Sequence, residues 1–164
     1  MYKIKIKQGN MFNEKEADFV INPSNTELIL GTGVSMGIKK VCGFQIQKQM
    51  EKFKPIKQGE VIATNCPNYP NYKTILHVAI MNYTKGDKNP SLNIIKKALE
   101  NIKKYLTPNS KLLLPLMGTG VGGLNKKEVI KVYKEFFSKK INFNIEIVIY
   151  IHKKEDYMIF KEMF

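Results

Sequence analysis

The stretch "LLLPLMGTGVGG" (residues 112–123) sets the fold class. "KLLLP" (111–115) is too short and too oily for a surface helix, so it predicts a buried strand. Glycines then stand at 118, 120, 122 and 123, and helical spacing resumes at 126–139, where Val129, Ile130, Tyr133, Phe136 and Phe137 share one face. The same grammar occurs earlier in "LILGTGVSMG" (28–37). Strands that pass through Gly-Thr-Gly-Val into helices belong to α/β domains, whose connecting loops gather at one edge of the sheet.

On either side of this stretch the pattern continues. Alternation in "YKIKIKQ" (2–8) predicts a strand, and "ADFVINPSN" a buried strand near 17–22 that ends at Pro23. Ile38, Val41, Cys42, Ile46, Met50 and Phe53 recur at mostly helical intervals, with Gly43 a weak point in the middle. "GEVIAT" (59–64) and "YKTILHVAI" (72–80) predict two further strands. "SLNIIKKALENIKKYL" (91–106) predicts an amphipathic helix capped by Ser91. "IEIVIYI" (145–151) is a buried strand before a terminal helix near 154–163. Six strands alternating with helices predict a three-layer α/β/α sandwich around a mixed, mainly parallel six-stranded sheet. No linker interrupts the pattern, so residues 1–164 are expected to form a single domain.

Composition narrows the function classes. With 43% hydrophobic residues in 164, the chain can bury a sizeable core and is not disordered. No apolar run approaches the roughly 20 residues of a membrane span, and the start of the chain lacks a secretory apolar block. A cytoplasmic protein without membrane contact is expected. Cys42 and Cys66 form no disulfide framework by number or spacing and read as small apolar residues. His77, inside "TILHVAI", reads as a core histidine; no metal site or cofactor is expected.

The net charge of +13 comes with 27 lysines and no arginine. Such a field attracts polyanions. Lysine nevertheless lacks the planar fork that grips guanine or phosphate bidentately, so sequence-specific DNA reading is not expected.

At the end of a buried strand, a glycine loop presents bare amides and the positive end of the next helix, and an anion can approach closely. Neither loop has the Lys-Ser/Thr ending of a triphosphate P-loop. Two such loops after strands predict one phosphate or diphosphate crevice at the carboxyl edge of the sheet. In "NPSN" (22–25), Asn22 and Asn25 flank the first loop at a spacing that lets one support it and the other hydrogen-bond a sugar hydroxyl.

These residues resemble the macrodomains, which bind ADP-ribose and its derivatives. "QGNMFNEKEADFVINPSNTELILGTGV" (8–34) is similar to the family's opening strand, N-A-A-N segment and first glycine loop. "QGEVIAT" (58–64) resembles its T-G-E strand, and "LPLMGTGVGGL" (114–124) its second loop. The resemblance implies that Asn10 faces the adenine amino group, where an aspartate usually stands. It implies that Asn25 contacts the distal ribose near the reacting carbon. Gly31, Thr32, Gly33 and Val34 would line one side of the diphosphate, and Gly118, Thr119, Gly120 and Val121 the other. His152 falls where an aromatic ring often stacks on adenine.

Ser35 stands where one hydrolase branch has the aspartate of G-V-D-G, and serine is no general base at neutral pH without a partner. Gly122 replaces an aromatic residue of that branch and a loop aspartate of another. The resemblance therefore implies a binding frame and leaves enzyme activity open. The expected partners are ADP-ribose and ADP-ribosylated protein or nucleic acid, with hydrolysis of ADP-ribosyl linkages the candidate activity and Asn25 its candidate catalytic residue. The alternative is a lysine-rich RNA or poly-ADP-ribose binding protein without catalysis.

Overall fold

The computed structural model describes residues 1–31, 33–84 and 90–164. Thr32, expected in the first loop, lies outside the described residues. The strands are β1 (Tyr2–Gln8), β2 (Ala17–Asn25), β3 (Val61–Thr64), β4 (Tyr72–Met81), β5 (Ser110–Pro115) and β6 (Ile145–Ile151). Among the described residues the α-helices are α1 (Val34–Cys42), α2 (Gln45–Glu51), α3 (Leu92–Lys103), α4 (Lys126–Ser138) and α5 (Lys154–Met163), and a 3-10 turn spans Met11–Asn13. The sheet order is β1-β6-β5-β2-β4-β3; only β3 runs antiparallel to its neighbour.

Side chains that alternate along a strand point to opposite faces of the sheet, and this chain is apolar on both. Val20, Leu113 and Val148 pack with Ile38, Ile46 and Met50 of α1 and α2. Their neighbours Ile21, Leu112 and Ile147 pack with Ile95, Val129 and Phe160 of α3, α4 and α5. Helices therefore cover both faces, and the expected three-layer sandwich is the observed one. Ser91 caps α3 by accepting from the Ile94 amide at 3.3 Å.

The helix expected across residues 38–53 is instead two. Gly43 adopts φ 91° and ends α1, and α2 restarts at Gln45. Phe53 lies beyond α2 and is 48% exposed.

The cysteine expectation also needs correction. Cys42 at the end of α1 and Cys66 just after β3 are buried, yet they are joined as a disulfide across 24 residues. Nothing local brings them together; the packing of α1 against the β3–β4 turn does. A loop of that length gives the bridge about 3 kcal/mol of stabilisation. Urea unfolding of Cys42→Ser/Cys66→Ser is expected to show a loss of that order, and an unchanged midpoint would contradict it.

The connections from β2 and β5 position the site. β2 leads into α1 and α2 on one face of the sheet, whereas its neighbour β5 leads into α4 on the other. The two chains part at their carboxyl ends and leave a crevice between them, as at any topological switch point of an α/β sheet. No helix among the described residues is long and apolar enough to cross a membrane.

Candidate functional site

The crevice consists of two cavities, of about 500 and 620 Å³, which share Gly33, Val34 and Pro115. In the first, Gly31 and Gly33 form one wall and Gly118, Gly120 and Gly122 the other. The second lies over the ends of β1 and β6 and is lined by Asn10, Phe12, Lys40, Tyr150 and His152. The two glycine loops thus face each other.

The first loop is held from below. Asn22 is fully buried, and its Nδ2 donates to His77 Nδ1 at 2.9 Å. Ser35 Oγ donates to Asn22 Oδ1 at 2.9 Å and approaches Pro23 O at 3.2 Å. His77 Nδ1 accepts, so Nε2 carries the proton and donates to Thr64 Oγ1 at 2.9 Å; the Thr64 hydroxyl in turn donates to Asn65 O. Burial lowers the imidazole pKa to about 3, so His77 is neutral. The chain Thr64–His77–Asn22–Ser35 therefore ties three strands to the first turn of α1. Asn22 has the supporting part, and Ser35 turns its hydroxyl inward rather than toward the crevice. Gly33, with φ 62°, precedes α1 without a side-chain cap, so the first-turn amides open onto the crevice.

Asn25 lines the first cavity, but both ends of its amide also hold the loop. Nδ2 donates to Ile29 O at 3.0 Å and Oδ1 accepts from the Ile29 amide at 3.2 Å.

The second loop closes on itself through Leu124 N to Gly118 O at 3.0 Å and Gly123 N to Gly120 O at 3.1 Å. A Cβ on Gly122 would lie 2.6 Å from Gly118 O and 2.8 Å from Pro90 Cγ. No larger residue fits there, which explains the departure from an aromatic or acidic residue. Val121 is 74% exposed at the rim, while Thr119 is not among the lining residues. The α4 N-terminus is capped by Asn125, whose Oδ1 takes the Glu128 amide, so this loop offers its own backbone rather than a helix end.

At the far end, Asn10 lines the second cavity, and its Oδ1 accepts from the Phe12 amide at 2.9 Å. His152 is exposed beside it. Tyr150 donates to Glu14 Oε1 at 2.8 Å, and Glu14 is also bound by Lys7 and by Lys111 at 2.6 Å. Burial alone would raise the Glu14 carboxyl, but these hydrogen bonds outweigh it and hold the pKa at about 2. This ion cluster anchors the floor of the second cavity.

Sequence reasoning missed Ser24, Glu27, Ile29 and Tyr83 in the first cavity and Phe12 and Lys40 in the second. Ser24 and Glu27 flank Asn25 in the chain, but only the fold shows that they line the same space.

A family model for the Macro domain matches residues 21–133, which contain both glycine loops, α1 and the first part of α4. The chain belongs to the Macro domain family. Solved macrodomains share its fold. The Oceanobacillus iheyensis macrodomain, as a mutant with ADPR, superposes with TM-score 0.75 at 20% identity over 98% of this chain and 90% of that one. The Trypanosoma brucei macrodomain in complex with ADP-ribose gives TM-score 0.80 at 17% identity, over 97% of this chain and 68% of that one. An uncharacterized protein of Fusobacterium nucleatum is 24% identical across the whole of this macro domain chain and 97% of its own length.

Proposed function

We propose that this macro domain binds ADP-ribose or an ADP-ribosyl derivative along the two-cavity crevice and hydrolyses ADP-ribosyl linkages there. One observation carries the reading: two adjoining cavities that share Gly33, Val34 and Pro115, the first of them walled by Gly31 and Gly33 on one side and by Gly118, Gly120 and Gly122 on the other. ADP-ribose has the matching plan, two sugar-bearing ends joined by a diphosphate. In this reading the adenosine takes the second cavity, with Asn10 at the adenine amino group and His152 against the ring. The diphosphate lies between Gly31, Gly33 and Val34 on one side and Gly118, Gly120 and Gly122 on the other, where backbone amides and the start of α1 favour negative charge. The distal ribose enters the first cavity beside Asn25. The Oceanobacillus and Trypanosoma macrodomains, solved with ADPR and ADP-ribose, support this ligand.

Calorimetry tests it. ADP-ribose is expected to bind more tightly than AMP, because only the former spans both cavities. A folded protein that gives no heat with ADP-ribose would refute the reading. If instead short RNA binds with a steep salt dependence and ADP-ribose does not compete, the lysine surface is the binding site.

A further inference from the structure

Two features of the first cavity have no role within the chain itself. Ser24 is 5% exposed and lines the cavity, and its Oγ has no hydrogen-bond partner among the described residues. A buried hydroxyl left unpaired costs about 1–3 kcal/mol, so its retention points to a partner supplied from outside the chain. Glu27 brings the only carboxylate among the described lining residues. It takes part in no ion pair or side-chain hydrogen bond among the described residues.

The loop carrying Glu27 is held in one strained shape. Leu28 adopts φ 54°, a left-handed conformation disfavoured for leucine, and is fully buried. Asn25 clamps Ile29 on both sides, and Gln47 donates from Nε2 to Leu28 O at 2.9 Å and accepts at Oε1 from the Leu30 amide at 3.0 Å. With Leu28 turned into the core, its neighbours Glu27 and Ile29 line the cavity. Backbone strain that the surroundings over-determine in this way concentrates at functional sites.

Resting on the ADP-ribosyl reading above, we propose that Glu27 is the general base of hydrolysis and that the Ser24 hydroxyl holds the attacking water. Ser35, the residue at the position of the absent aspartate, is committed to Asn22 and cannot serve. The water oxygen forms a bond to the anomeric carbon of the distal ribose as the bond from that carbon to the ester oxygen breaks. The electron pair leaves with the acceptor's carboxylate. The water proton passes to Glu27 and then to solvent, and free ADP-ribose is released. Apart from the Tyr83 phenol, 51% exposed at the rim, no other titratable side chain lines the cavity among the described residues. A base without a buried acid suits a leaving group that departs without a proton, as a carboxylate does.

The test uses a peptide carrying ADP-ribose on glutamate through an ester, with ADP-ribose calorimetry in parallel. Glu27→Gln is expected to lose about 100-fold or more in turnover, with ADP-ribose affinity and melting temperature nearly unchanged. Ser24→Ala is expected to slow turnover about 10-fold while the free protein becomes slightly more stable, since an orphaned hydroxyl is removed. Wild-type turnover in Glu27→Gln overturns the proposal. So does a wild-type protein that binds ADP-ribose but leaves the ester intact, and that outcome leaves the binding reading standing. Absence of ADP-ribose binding by the wild type refutes both.

Discussion

Gly120→Glu is expected to weaken ADP-ribose binding about 100-fold and to leave the protein folded. Gly120 lines the first cavity, and a Cβ built on it meets nothing within 4 Å. Its φ is also one that other residues adopt, so the larger side chain enters the crevice without straining the loop. A carboxylate placed about 5 Å from a phosphate charge costs ~3 kcal/mol at an effective dielectric of about 20. That is a loss of about 100-fold in affinity. Gly120→Ala, which adds one methyl group to open space, should keep most of the binding. Thermal melting and calorimetry together check the result; wild-type affinity in the glutamate variant would place the diphosphate elsewhere. Gly122 is unsuited to this test, because its contacts with Gly118 O and Pro90 would disturb the loop itself.

Acid is expected to weaken the fold long before carboxylates titrate, and His77 is the reason. In the unfolded chain its imidazole titrates near 6.5, whereas burial holds it at about 3 in the native state. Between these values the unfolded chain binds a proton that the native protein does not. Stability from this residue is therefore complete above pH 6.5, falls as pH drops, and levels off below about 3. The slope is about 1.4 kcal/mol per pH unit, which amounts to ~4 kcal/mol between about pH 7 and pH 3. Glu14 adds to the loss at the acid end, because its carboxyl is depressed from 4.5 to about 2 and its ion pairs are surrendered across that interval. Urea unfolding at several pH values should show His77→Gln less stable than wild type at neutral pH, with the gap closing as pH falls. Parallel stability curves for the two proteins would show that His77 takes up its proton in the native state.

Much of the architecture is legible in the residue pattern, because it depends on near neighbours in the chain. Val20 and Ile21, Leu113 and Leu112, and Val148 and Ile147 are all apolar, so each strand needs cover on both faces. That requirement dictates helices above and below the sheet. The two Gly-Thr-Gly-Val runs mark the loops because the chain leaves each strand through a backbone conformation that favours glycine, φ 62° at Gly33 and 82° at Gly118. The break at Gly43 is legible only as a weakness, since a glycine inside a helical pattern can be tolerated or can end it. Asn22 and Asn25 cannot be told apart in "NPSN". A bulge between Ser24 and Asn25 changes the strand register there, and burial under α1 then decides that Asn22 supports while Asn25 lines the cavity.

The layers, the order of elements and the identity of the two glycine loops are thus written in the amino-acid order, because they follow from periodicity within about ten residues. Three-dimensional packing was needed to establish which side chains share the crevice, which hydroxyl is left unpaired, and that Cys42 meets Cys66. Those are encounters between segments far apart in the chain, set by how helices and sheet come together. No spacing along the sequence encodes them.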